Sequence, residues 1–209
     1  MRNEIRTKIK RILISVEELP YFTLDDLFPI EKNKNYLNIL FSRQEKAGVM
    51  IRLKKGFYVT ERYLLNHSTP QEMKFYCEFL ANTLYKPSYL SMDYVLYEHN
   101  LLTEIPVNYT CVTENKTAKF SNRFGNFFYH KIKEEMFIGF DIIKKNNFII
   151  LKATKAKALF DFLYLRKNLL VDEKAVEEMR LNFRNLTNKD IKELKKYISK
   201  AVSEKMSSS

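Results

Sequence analysis

Lys34, Asn35, Tyr36, Asn38, Ser42 and Arg43 crowd one short stretch of the chain, and their side chains are of the types that read duplex DNA. A guanidinium donates as a fork to a guanine edge, an asparagine amide exchanges two hydrogen bonds with adenine, and hydroxyl or ammonium groups hold phosphate oxygens. Tyr36 is expected to offer its hydroxyl to a phosphate. Arg52, Lys54 and Lys55 follow close to Gly56, where cations at the tip of a hairpin would lie against the DNA backbone or reach an adjacent minor groove.

No competing chemistry is as well supplied. Asp93 together with Glu114, Asn115 and Lys116 loosely matches the acid and acid-x-Lys order by which nucleases hold Mg²⁺ and activate water. The second acid falls in an expected turn, where such sites need a rigid strand, so the match is set aside. His67, His99 and His130 lie too far apart in sequence for paired zinc ligands. Cys77 and Cys111 sit in apolar runs and read as buried thiols. With four glycines in the whole chain, a phosphate-cradling loop or a nucleophile elbow has little material. The expectation is a non-enzyme with no catalytic residues, no metal and no cofactor.

The elements that must position the DNA-reading residues follow from hydrophobic spacing. Ile5, Ile9, Ile12, Leu13 and Val16 recur at helical intervals over residues 4–17. Thr23 stands where an N-cap would open a short second helix of about two turns, stopped at Pro29. Leu37, Leu40, Phe41 and Ala47 predict the apolar face of a third helix closed by Gly48. The reading residues occupy its start and polar face, and a recognition helix enters the major groove by its N-terminal end. Residues 49–53, the turn at Lys54, Lys55 and Gly56, and residues 57–59 complete a basic hairpin. This order of helix, short helix, helix and hairpin predicts a winged helix-turn-helix over residues 1–65.

Residues 66–209 predict a mixed α/β domain, giving an α+β fold class for the whole. A helix opens at Pro70, with Met73, Tyr76, Cys77, Leu80 and Leu84 periodic along it. Ser91 caps a short helix, and residues 109–112 and 126–129 read as strands flanking a polar, basic connection, in a hairpin or small sheet. Residues 148–151 form a continuous apolar run suited to a buried strand, and Thr154 opens a further helix. Helices are expected over 172–183 and 188–206, before a Ser207, Ser208, Ser209 tail that should fray. Lys116, Lys119, Arg123, Lys131 and Lys133 give this domain a basic surface. It would extend a DNA footprint, meet RNA or an acidic partner, or simply be a solvated hairpin face.

A net charge of +11 and a pI near 9.4 favour a polyanionic partner, nucleic acid or an anionic membrane surface. No apolar run approaches the length that crosses a bilayer, and no signal-peptide layout opens the chain, so a cytoplasmic protein with no membrane partner is expected. The aromatic-rich second domain keeps a third reading in view, an adaptor that docks proteins. An adaptor would lack salt-dependent affinity for DNA.

The stretches Phe22-Thr23-Leu24-Asp25-Asp26-Leu27, Leu40 to Gly48 and Arg52 to Tyr58 resemble the winged helix of the AbiEi family, antitoxins of type IV toxin–antitoxin (abortive infection) systems. Three further blocks resemble that family's C-terminal domain: Pro87 to Leu96, Tyr109 to Thr113 leading to Gly125-Asn126-Phe127, and Ala153 to Asp161. The resemblance implies a phage-defence antitoxin and transcriptional autorepressor. Such a protein binds inverted repeats in double-stranded promoter DNA, as a monomer or dimer, and counteracts an AbiEii-type nucleotidyltransferase toxin without necessarily contacting it. The alternative is a stand-alone DNA-binding regulator, or an adaptor, without antitoxin activity.

Overall fold

A computed structural model describes residues 2–169 and 173–207. Asp172, where a helix was expected to begin, and Ser208 and Ser209 of the expected tail lie outside the described residues. The protein is a mixed α+β structure that divides into two compact units, Met1–Tyr76 and Cys77–Ser209. Among the described residues no helix is long and apolar enough to cross a membrane.

In the first unit, helix α1 spans Arg2–Val16, α2 Lys34–Lys46 and α3 Glu61–Asn66, with strands β1 (Met50–Lys54) and β2 (Phe57–Thr60) forming an antiparallel hairpin. Its core is made of Ile12, Val16, Phe22, Leu27, Leu37, Leu40, Phe41 and Met50. Phe22 and Tyr58 each meet Phe41, with ring centroids 5.6 and 4.7 Å apart, in the T-shaped geometry aromatic quadrupoles prefer. The structure differs from the sequence reading at Thr23 and its helix and at Ala47. Residues 23–28 give a single 3-10 turn, Asp25–Leu27, instead of a two-turn helix. Thr23 is not its cap, because its N–H and hydroxyl both donate to the Asp26 carboxylate, at 2.7 and 2.8 Å. Ala47 is exposed at the C-cap of α2, one residue past the end of the helix, whose buried face stops at Phe41.

Helix α4, Pro70–Thr83, begins where Pro70 predicted, but the division between units falls after Tyr76 and not near residue 65. The first half of α4 is tied to the first unit: the Tyr76 hydroxyl donates to the Pro20 carbonyl at 2.9 Å, and its ring lies 5.7 Å from Tyr63.

The second unit is built on a six-stranded mixed sheet. Its strands are β3 (Ser88–Leu90), β4 (Asn108–Thr113), β5 (Ala118–Asn122), β6 (Gly125–Lys131), β7 (Phe140–Lys145) and β8 (Phe148–Ala153), in the order β5-β6-β4-β3-β8-β7. Helix α5 (Met92–Glu98), α6 (Lys155–Leu165), α7 (Glu173–Glu178) and α8 (Asn188–Ser207) complete it. The basic connection between β4 and β6 contains β5, which hairpins with β6, so β4 and β6 run parallel. Strand β8 is not wholly buried, since Ile149 is exposed on it. Thr154 caps α6 by accepting from the Lys157 N–H, as expected. Ser91 makes no cap bond to α5, because its hydroxyl donates to Asp161 instead. Between Phe137 and Phe140 the chain turns at Gly139, which has φ +78° and sits directly beneath Tyr197 of α8.

Candidate nucleic-acid interface

Asn33 starts α2 by accepting the Tyr36 N–H at 3.0 Å, and its own N–H donates to Glu31 at 2.7 Å. Glu31 in turn pairs with Lys8 of α1, and that ammonium, with the Asn33 N–H, holds its carboxyl below the usual range. The start of α2 is therefore fixed to α1 by a chain of polar contacts. Its end is fixed to the hairpin: Gly48, at φ +71°, reverses the chain, and the Val49 N–H reaches the Gln44 carbonyl at 2.9 Å. The Phe22 and Tyr58 backbones exchange two hydrogen bonds, which tie β2 to the segment before the 3-10 turn.

Leu37, Leu40 and Phe41 face inward from this clamped helix. Asn35, Asn38, Ser42 and Arg43 face outward, all exposed, and among the described residues their side chains make no hydrogen bond or ion pair. Lys34 is exposed at the first position, its ammonium 5.9 Å from the Phe28 ring centroid. Tyr36 is placed otherwise than the sequence reading expected. Its ring packs on the core and its hydroxyl is buried, with no hydrogen-bond partner among the described residues, so it is not presented to a phosphate. The signal was in the spacing, because Tyr36 stands four residues before Leu40, on the same stripe. The outward face also holds a residue the sequence reading missed, Ile39, which is 54% exposed.

On the hairpin, Arg52 and Lys55 are exposed, and Gly56 provides the φ of +83° that the turn requires. Lys54 is half-buried with its ammonium 4.1 Å above the Phe57 ring, a cation–π contact that keeps its charge near the hairpin. Phe57 stacks in turn on Tyr21 at 5.5 Å.

No protein-family model matches the chain, and no curated protein matches it.

In the second unit the five predicted cations are exposed but not gathered. Lys116, Lys131 and Lys133 lie toward one end of the β5–β6 hairpin and Arg123 at its turn. Lys119 is paired across the strands with Phe128, three residues from Lys131, so the two lysines point to opposite faces. The Lys119 ammonium lies 4.3 Å from the Phe128 ring.

Several other charged groups of this unit pair with one another. Lys157 and Asp161, both 0% exposed, are paired at 2.6 Å. The Lys157 ammonium also donates to the Met136 carbonyl at 2.8 Å, while Asp161 accepts from Tyr89 and Ser91 at 3.0 and 2.7 Å. Burial pushes the Asp161 carboxyl above its ordinary range and the Lys157 ammonium below its own, and the hydrogen bonds between them oppose both shifts. Lys152 bridges Glu78 and Glu98 at 2.9 and 2.8 Å. Asp93, the first acid of the nuclease-like pattern, accepts from Arg166 at 2.8 and 3.0 Å. Cys77 and Cys111 are free and buried, and burial raises both thiols.

Proposed function

We propose that the first unit binds duplex DNA as a winged helix-turn-helix, with α2 in the major groove and the β1–β2 hairpin along the backbone. The observation that carries this is the outward face of α2, where Asn35, Asn38, Ser42 and Arg43 stand exposed and unpaired among the described residues, on a helix clamped at both ends. Base-edge recognition needs side chains of this kind held on a rigid element. Lys34, Arg52 and Lys55 supply phosphate contacts on either side, and Lys54 contributes its charge from above Phe57. Tyr36 is left out of the contact set. The element between α1 and α2 is a 3-10 turn, so this winged helix has a reduced second helix.

We further propose that the protein is a cytoplasmic, non-enzymatic antitoxin of the AbiEi type that represses its own operon and counteracts a nucleotidyltransferase toxin. Support for this part is the resemblance of the second unit's sequence blocks. The blocks 87–96 and 153–161 contribute Tyr89, Ser91, Lys157 and Asp161, the buried network at the centre of that unit.

The decisive measurement is a gel-shift titration of the full chain against the DNA upstream of its own gene and an unrelated duplex of equal length, at two salt concentrations without Mg²⁺. Preferential upstream binding that survives the higher salt is the expected result. Equal, salt-labile binding to both duplexes overturns the repressor reading, and no binding leaves the adaptor. Co-expression with a nucleotidyltransferase encoded next to the gene then tests the antitoxin part by rescue of growth.

A further inference from the structure

Asn35, Asn38, Ile39 and Ser42 are spaced i, i+3, i+4 and i+7 and lie on one face of α2. Three of the four carry polar groups suited to base edges or phosphate. Ile39 does not, and its 54% exposure is not demanded by packing, since Leu37, Leu40 and Phe41 already fill the inward face. Ile14 and Leu65 are also exposed in this unit, on α1 and α3, but neither stands among residues able to read bases.

From this placement we infer that Ile39 is a specificity residue that packs on the 5-methyl group of a thymine in the major groove. The inference rests on the DNA-binding reading above and deepens it. The thymine methyl is the one apolar group the major groove displays, and it is matched by apolar side chains. The surroundings favour a polyanion over an apolar protein partner, because exposed Lys34, Arg43 and Lys46 lie on the same helix and Arg52 and Lys55 on the following hairpin. Asn35 and Asn38 are of the type that pairs with adenine, so the face as a whole is suited to A·T-rich sequence.

The test begins with selection of a tight-binding duplex from a random-sequence pool by the full chain. That duplex is then remade with deoxyuridine replacing thymidine at one position at a time, which removes only the methyl group. At one position the wild-type protein should bind the deoxyuridine duplex about fourfold more weakly, the factor one buried methyl group is worth. Ile39→Ala should lose a similar factor on the thymidine duplex and become indifferent to the replacement there, while Ile39→Val still discriminates. Because Ile39 is exposed, both variants should melt at the wild-type temperature. Wild-type indifference to deoxyuridine at every position, or full discrimination by Ile39→Ala, overturns the role of Ile39 and leaves DNA binding standing. Failure to enrich any sequence overturns both.

Discussion

The outward face of α2 and the centre of the second unit use the same kinds of side chain in opposite ways. At Lys157 and Asp161 a cation, a carboxylate and two hydroxyls are closed on one another and shut away from water. On α2 an arginine, two asparagines and a serine point outward and bind nothing among the described residues. A buried ionic cluster that satisfies itself has little left for a substrate, whereas exposed polar groups on a fixed helix keep their full capacity for a partner. Residues 87–96 and 153–161 supply the self-satisfied cluster, so they speak to the framework of the unit and only indirectly to its activity.

The contrast can be broken most sharply at the buried pair. Lys157→Met leaves Asp161 enclosed without its counter-charge and should cost the second unit about 3–5 kcal/mol, read by urea unfolding. The double variant Lys157→Met, Asp161→Leu should recover much of that loss. A single variant as stable as wild type would mean that the cluster is not structural. On α2 the effect should be on binding alone. Arg43→Ala or Lys34→Ala should weaken a selected duplex by about 1–3 kcal/mol for whichever touches a base, with an unchanged melting temperature. Unchanged affinity in the double variant would remove α2 from the interface.

Tyr36 lies between these extremes, since it sits on the helix proposed to read DNA but behaves as core. Tyr36→Phe removes a buried hydroxyl that has no partner among the described residues and should stabilise the first unit by about 1 kcal/mol in thermal unfolding, without changing DNA affinity. Lost affinity would show that the hydroxyl turns outward on DNA. The smallest effect is expected at the hairpin tip. Lys55→Ala should reduce the slope of log affinity against log salt by about one and leave sequence preference alone. A change in preference would make Lys55 a base reader.

Much of the first unit was legible because its signals are local. Leu37, Leu40 and Phe41 mark a helical stripe, and Gly48 and Gly56 stand where the chain needs positive φ. The 3-10 turn was not legible, since Thr23 and Asp26 suit a helix start as well as they suit the hydrogen-bonded turn they make. Strands β3, β5 and β7 escaped for a different reason. β3 is three residues long, β5 alternates half-buried and exposed residues within a basic stretch, and β7 borders the sheet with most of its side chains exposed. Only β3 depends on partners distant in sequence, β4 and β8, whereas β5 and β7 hairpin with the strands that follow them. At the candidate site, hydrogen-bonding capacity drew attention to Tyr36 and away from Ile39, although helical spacing alone places the first inward and the second outward.

Gly139 bears on the seating of the C-terminal helix. A methyl group built on it would stand 2.2 Å from the Tyr197 hydroxyl and 2.7 Å from the ring carbon that carries it. Tyr197 also donates to Glu193, which accepts from Thr154 at the start of α6, so the ring cannot swing aside without undoing that link. The fit of α8 thus depends on the absence of one carbon atom. Gly139→Ala should act as a wedge, lifting α8 and speeding amide hydrogen exchange along it before the sheet itself loosens.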